Sequence, residues 1–287
     1  MLIRILKFMG SNYTYVIWFI LYFSIALAMI GDTQQNFFLL LLIYGVSIGI
    51  ALSPIGEAIL RATENCREPS TEEEKNYLLP IFEEVYQDAI AINPNLNREI
   101  KIYIKDAMYI NAFAMGRKTI AVTKGGLTTW TRDELKGIIA HEFGHITHGH
   151  TKALLLSLIG NFFFSIIVWV LRLFLTIMQF ICEVVAEFNW LGSIFAILTA
   201  IVQIIVDLSV FVFINLSEMI LASNSRSNEF QADTFAFEVG YGKELISGLY
   251  LLQKTTIQNK LSIPERLKAT HPHISHRIAN LERLNQI

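Results

Sequence analysis

The sequence predicts a mainly α membrane protein that carries a cytoplasmic α+β domain, in which a small antiparallel sheet packs with helices. Of its 287 residues, 53% are hydrophobic and only 17% are charged, whereas soluble proteins carry about 25% charged residues. Four long apolar stretches interrupt the chain. The polar segments between and after them, 56–152 and 217–287, together have the size of one ordinary domain, and neither looks self-sufficient.

The four apolar stretches are long enough, or nearly so, to cross a bilayer as helices. They run over residues 13–30, 37–55, 153–171 and 191–214. The fourth contains Gln203 and Asp207, which we expect to face other helices or the catalytic domain, because facing lipid is costly. We therefore divide the chain into two transmembrane helices (1–55), a first half-domain (56–152), a transmembrane hairpin (153–216) and a second half-domain (217–287). Residues 173–190 are amphipathic, and they form either an interfacial helix or an extension of the third span.

Basic residues predict the orientation. Arg4 and Lys7 precede the first span, while residues 31–36 between the first two spans contain neither Lys nor Arg. The positive-inside rule places both termini and segment 56–152 in the cytoplasm of a multi-pass protein of the plasma (inner) membrane. Residues 26–28 read Ala-Leu-Ala, as at a signal-peptide cleavage site, but the long preceding run and the span that follows favour an uncleaved anchor.

The polar segments contain recognisable helix starts and strands. A capped start at 69–73 opens a helix that continues to about residue 90, and Thr131 to Glu134 forms a capping box for another. Strands are expected at 100–105, 108–115 and 119–123, with a hairpin turn at 116–118, and helices at 216–238, 243–255 and 273–285.

The helix opened by this capping box contains His141-Glu142-Phe143-Gly144-His145, an HExxH sequence. Histidines four residues apart share a helix face, so both imidazoles can reach one metal ion. The intervening Glu142 can hold a water molecule bound to that metal. A catalytic zinc takes three protein ligands and leaves a position for water, so a third ligand must come from elsewhere.

Glu229 and Asp233, one turn apart on a predicted helix, supply the candidates. The Glu229 carboxylate offers an oxygen ligand, and Asp233 could accept a hydrogen bond from the second ring nitrogen of His141. By itself such a pair is usually a solvated helix face, and its occurrence with HExxH favours a metal site. His148 and His150 are interpreted as polar residues at a helix end, and the two cysteines form no CxxC pair.

With these motifs the chain resembles the HtpX-type membrane zinc endopeptidases, relatives of the thermolysin-like gluzincins and of the CAAX prenyl endopeptidases. The resemblance covers nearly the whole chain and rests on four motifs in order: residues 111–116, 139–145, 225–233 and 270–272. His273 departs from the pattern, because family members often have proline there. This difference could reshape the loop but affects no inferred ligand.

The resemblance implies a gluzincin-like zinc protease domain with one Zn²⁺ per chain, bound by His141, His145 and Glu229. Glu142 would be the general base that deprotonates the zinc-bound water and then the acid that protonates the leaving amine.

The resemblance also implies substrate and oxyanion contacts outside the metal site. Asn111 and Ala112 would lie on an edge strand that binds extended substrate, the alternative being a plain half-buried strand. His271 and Arg277 would donate hydrogen bonds to the oxyanion or a substrate carbonyl. A surface salt bridge is the alternative for Arg277.

The implied function is hydrolysis of misfolded or damaged membrane proteins at the cytoplasmic membrane face, a quality-control and stress-response role. A specific processing peptidase is the alternative within the enzyme class, although its prenyl-protein relatives have seven spans. A metal transporter or an inactive zinc scaffold fits poorly, since the candidate ligands lie outside the spans and Glu142 is present.

Expected partners are protein or peptide substrates and the lipid bilayer. Nothing in the net charge of −2 suggests nucleic acid, and protease or chaperone partners are not identified.

Overall fold

The computed structural model describes residues 31, 33–51, 53–255 and 273–285, with scattered positions between 16 and 27. Its helices are α1 Gln34–Ala51, α2 Pro54–Thr63, α3 Glu72–Ile92, α4 Lys124–Thr129, α5 Arg132–His148, α6 His150–Ala186, α7 Trp190–Glu238, α8 Gly242–Thr255 and α9 Ile274–Leu284. The strands are β1 Cys66–Arg67, β2 Lys101–Lys105, β3 Ala112–Met115 and β4 Thr119–Thr123. One compact unit comprises Met1–Gly45 with Ser157–Leu221, and a second comprises Val46–Leu156 with Ala222–Ile287.

Two helical segments among the described residues are long and apolar enough to span a membrane, Val168–Ala186 and Trp190–Val212. A third candidate exists if the bent pair Gln34–Ile50 and Pro54–Thr63 forms one span. Residues 173–186 continue α6 without a break, and a turn at 187–189 leads into α7. Most of the predicted first span lies outside the described residues, and most side chains of the predicted third span are likewise not described.

A salt bridge joins the two candidate spans within the first unit. The Arg172 guanidinium lies 2.7 Å from the Asp207 carboxylate, so each charge has an opposite charge as its partner. An unpaired charge within an apolar span would be costly. The expectation that Asp207 faces another helix is confirmed.

The sheet of the second unit is mixed, with strand order β1-β2-β4-β3. A hairpin turn with Gly116 at φ 61° makes β3 antiparallel to β4. Strand β4 then lies between β3 and β2 and runs parallel to β2, so the prediction of an antiparallel sheet is wrong at this pair. The reason is that residues 106–111 carry the chain past the position of β4 to the sheet edge. The predicted strand at 108–115 accordingly shortens to Ala112–Met115.

Helices α3 and α5 begin where the sequence predicts. Thr71 and Thr131 cap α3 and α5, and each helix has a complete capping box with glutamate at its third position. Gly149, at φ 76°, ends α5 in the left-handed conformation that glycine adopts most easily. The predicted helix at 216–238 is part of the longer α7, which begins at Trp190.

Phe143 anchors α5 in the core of the second unit. Its fully buried ring stacks on Tyr86 at a centroid distance of 5.3 Å and on Phe82 at 5.6 Å, both from α3. We expect Phe143→Ala to reduce the free energy of unfolding by about 3–5 kcal/mol, because it leaves a cavity in a packed core. Equilibrium unfolding in detergent measures this, with Leu79→Ala on the exposed side of α3 as the control. A loss no greater than that of the control would contradict the anchoring role.

Candidate metal centre

Two helices carry the candidate ligands, and a glycine brings them together. His141 and His145 lie one turn apart on α5, and Glu229 lies on α7. Gly144 faces Ala232 so closely that a Cβ atom on Gly144 would lie 2.7 Å from the Ala232 Cα and 2.9 Å from its carbonyl oxygen. Only a residue without a side chain permits this approach. The glycine of the HExxH sequence therefore determines how near the histidines come to Glu229.

The three candidate ligands lie close together, with one donor atom of each within 4.8 Å of the others. Nε2 of His141 lies 3.2 Å from Nε2 of His145 and 3.5 Å from Oε2 of Glu229. Nε2 of His145 lies 3.4 Å from Oε1 of Glu229. A tetrahedral zinc site with bonds of about 2.0–2.1 Å separates its donor atoms by about 3.3–3.4 Å. The two nitrogens lie at about this separation, and each lies nearest a different oxygen of Glu229. The donor types, two imidazole nitrogens and a carboxylate oxygen, suit a zinc ion.

Burial separates this cluster from an ordinary surface group of acids and histidines. His141 is 5% exposed, Glu142 6% and Glu229 2%. Burial raises the pKa of Glu142, although the nearby His141 and His145 act in the opposite direction. A carboxylate with a raised pKa holds a proton more readily than an exposed one, which suits a group that must accept and return a proton.

Asp233 and Arg277 surround His141. Nδ1 of His141 lies 2.9 Å from Oδ1 of Asp233, the contact predicted for this pair. Arg277 donates to Asp233 from Nε at 2.9 Å and from Nη2 at 2.6 Å, and its Nη1 lies 3.0 Å from Oε2 of Glu229. Arg277 is only 7% exposed, so its salt bridges with Asp233 and Glu229 are buried and not at the surface as the alternative had it.

These contacts shift the pKa values of His141 and Asp233. Burial and the Arg277 charge lower the pKa of His141, but its hydrogen bonds to Asp233 and Glu229 outweigh them and raise it to about 9. Burial acts to raise the pKa of Asp233, and the charge of Arg277 together with the bond to His141 holds it below its ordinary value. Asp233 is therefore an ionised acceptor.

His145 has a different neighbour, one that the sequence does not predict. Its Nδ1 lies 3.0 Å from Nδ1 of His150, and Nε2 of His150 lies 3.3 Å from Oε1 of Gln231. His150 is 7% exposed, and burial lowers its pKa to about 3. His150 does lie at a helix end, as the first residue of α6, but its burial and its contact with His145 were not predicted. His148, at the end of α5, is exposed, and its ring contacts the carbonyl oxygen of Gly144 in its own helix.

The candidate substrate strand lies at the sheet edge. Ala112 begins β3, and among the described residues no strand pairs with the outer side of β3. The Thr123 amide donates to the Asn111 carbonyl oxygen at 3.0 Å. In an antiparallel pair every second residue exchanges hydrogen bonds with the partner strand, so the backbone groups of Asn111 and Phe113 face β4. The backbone groups of Ala112 and Ala114 accordingly point to the open edge. His271 lies outside the described residues.

Comparisons with known proteins agree with this geometry. Residues 73–285 match Peptidase family M48. The chain is 30% identical over 258 residues to Protease HtpX of Vibrio vulnificus, covering 82% of this chain and 80% of the relative. It is 28% identical over 310 aligned positions to a Protease HtpX homolog of Neisseria meningitidis serogroup C, covering 98% and 99%. The crystal structure of S. mikatae Ste24p aligns with a TM-score of 0.53 at 19% identity, covering 94% of this chain and 63% of that one.

Proposed function

This chain belongs to peptidase family M48 and is an HtpX-type membrane metalloprotease, and from that premise we propose that its metal is one zinc ion bound by His141, His145 and Glu229. The observation that carries the proposal is the cluster of two imidazole nitrogens and a carboxylate, in which one donor atom of each residue lies within 4.8 Å of the others and the donor types suit tetrahedral zinc.

Glu142 is the general base and acid of the proposed reaction. When bound, zinc polarises the scissile carbonyl and makes a water molecule acidic enough to lose its proton to a carboxylate. Glu142 takes the proton from the attacking water and then delivers it to the nitrogen of the leaving amine. The buried position that raises its pKa supports this role, because the same group must hold the proton between the two steps.

Residues around the cluster orient the ligands and contact the substrate. Asp233 fixes the ring of His141 by accepting from its Nδ1. Arg277 and His271 donate hydrogen bonds to the developing oxyanion or to a substrate carbonyl. Support for Arg277 comes from its buried guanidinium beside Glu229.

An extended segment of substrate adds to the sheet beside β3. The open backbone groups of Ala112 and Ala114 would pair with the substrate main chain, so binding depends little on substrate side chains. Asn111, whose backbone is held by Thr123, fixes where the paired segment begins. This mode suits misfolded proteins, which expose extended backbone in many sequences.

We propose that the substrates are misfolded or damaged membrane proteins, cut at the cytoplasmic face of the inner membrane. Support comes from the distribution of basic residues and from α7, which contains both the candidate span Trp190–Val212 and Glu229. Under this proposal residues 1–55 and 153–216 are membrane segments, and 56–152 and 217–287 form the protease domain.

Metal removal tests the proposed function. The full chain, purified in detergent, should cut an unfolded protein, lose this activity when a chelator removes its metal, and regain it with one equivalent of Zn²⁺ per chain. Mg²⁺ should not restore activity, because it prefers six oxygen ligands and the site offers two nitrogens. Cleavage that persists after metal analysis shows complete removal would contradict the proposal.

A further inference from the structure

We infer that His150 is a positioning residue for the metal site, which together with Gln231 fixes the ring of His145 and links it to the helix that carries Glu229. The inference rests on the proposed function, because it assumes that His145 binds a metal through Nε2. His150 follows the HExxH helix, and Gln231 lies two residues after Glu229 on α7. The two residues therefore connect the two halves of the site.

The hydrogen-bonding roles follow from the ring geometry. Nε2 of His145 faces His141 and Glu229, so a neutral metal-binding ring carries its proton on Nδ1. That Nδ1 lies 3.0 Å from Nδ1 of His150, which must then accept the hydrogen bond. The proton of His150 is consequently on Nε2, where it donates to Oε1 of Gln231. With these tautomers of His145 and His150, the contact between the two rings and the contact with Gln231 each have one donor and one acceptor.

The arrangement matches what Asp233 does for the other histidine ligand. Nδ1 of His141 donates to Asp233, and Nδ1 of His145 donates to His150. Asp233 itself lies on α7, whereas His150 contacts that helix through its hydrogen bond to Gln231. Outer partners of this kind fix the tautomer and orientation of a ligand ring, and their loss typically costs about 10–100-fold in metal affinity.

Backbone geometry explains how a residue five positions after His145 reaches it. In a continuous helix, positions five apart point in different directions. Gly149 breaks the helix at φ 76°, and α6 begins at His150 with a new direction. The hydroxyl of Thr151, the next residue, donates to the carbonyl oxygen of Gly116 at the β3–β4 turn. These contacts hold the first turn of α6, and His150 with it, beside the site.

The test is the Kd for Zn²⁺, measured on the metal-free full chain in detergent with a competing chelator. His150→Leu should weaken binding by about 10–100-fold. His150→Asn should stay within about threefold of wild type, because asparagine carries an oxygen acceptor one bond beyond Cγ, where histidine carries Nδ1. His148→Leu, the matched control, should also stay within about threefold, since His148 stacks on His150 but touches no candidate ligand.

Gln231→Leu should weaken Zn²⁺ binding less than His150→Leu does, because Nδ1 of His150 can still accept from His145. The double variant should be no weaker than His150→Leu alone, because both act through one chain of contacts. The melting temperatures of the metal-free variants separate this effect from unfolding and should agree with wild type. His150→Leu binding like wild type, or His150→Asn losing affinity as much as His150→Leu, would overturn the inference alone. A wild-type chain that binds no Zn²⁺ would overturn the proposed function with it.

Discussion

Glu142→Gln should reduce cleavage of an unfolded protein by about 10²–10⁴-fold while leaving the zinc content at the wild-type level. The substitution keeps the size of the side chain and removes the carboxylate that carries the proton. It changes none of the three proposed ligands. Because Glu142 is buried, the neutral amide should be tolerated, and the melting temperature should not fall.

The measurement is the initial cleavage rate together with metal analysis of the same preparation. Asp133→Asn is the control, because it removes an exposed carboxylate from the first turn of the same helix. Cleavage by Glu142→Gln at the wild-type rate would contradict the assignment of the base. Loss of zinc from this variant would show instead that Glu142 is part of the metal site.

Gly144→Ala should disrupt the metal site without changing any ligand. The new Cβ would meet the Ala232 backbone at 2.7 Å, and a backbone cannot rotate away as a flexible side chain can. Helices α5 and α7 must therefore separate, which moves His141 and His145 away from Glu229. We expect at least about tenfold weaker Zn²⁺ binding, comparable to the loss of an outer partner. Overpacking should also cost about 1–3 kcal/mol of stability.

Chelator competition measures the affinity, and equilibrium unfolding measures the stability. Gly49→Ala provides the matched control, because among the described residues nothing lies within 4 Å of its added Cβ. Its effect on Zn²⁺ binding should be negligible. Unchanged zinc affinity in Gly144→Ala would mean that the close approach of the two helices does not determine the site.

Local patterns predicted the parts of the site that depend on neighbouring residues. The spacing of His141 and His145, the capping box at Thr131 and the turn at Gly116 are all set within a few residues, and the structure places each as the sequence indicates. Glu229 could be named from its motif. Its distance from the histidines could not, since it depends on tertiary packing at Gly144.

Nonlocal pairing explains what the sequence did not predict. The parallel pair β2–β4 forms because the chain passes along the sheet edge first, and strand spacing carries no information about that order. His150 lies outside the helical period of His145, because Gly149 changes the chain direction between them. The burial of Arg277 follows from its contacts with Asp233 and Glu229, which are distant in sequence.

The zinc content of wild type and Glu229→Gln tests the central claim most directly, that two helices share one catalytic metal. Both full-length proteins are purified in parallel and dialysed against the same weak chelator. The claim predicts one zinc ion per chain in wild type and loss of most of it in Glu229→Gln, because the amide removes the charge of the only proposed carboxylate ligand. Equal zinc in the two proteins would contradict it.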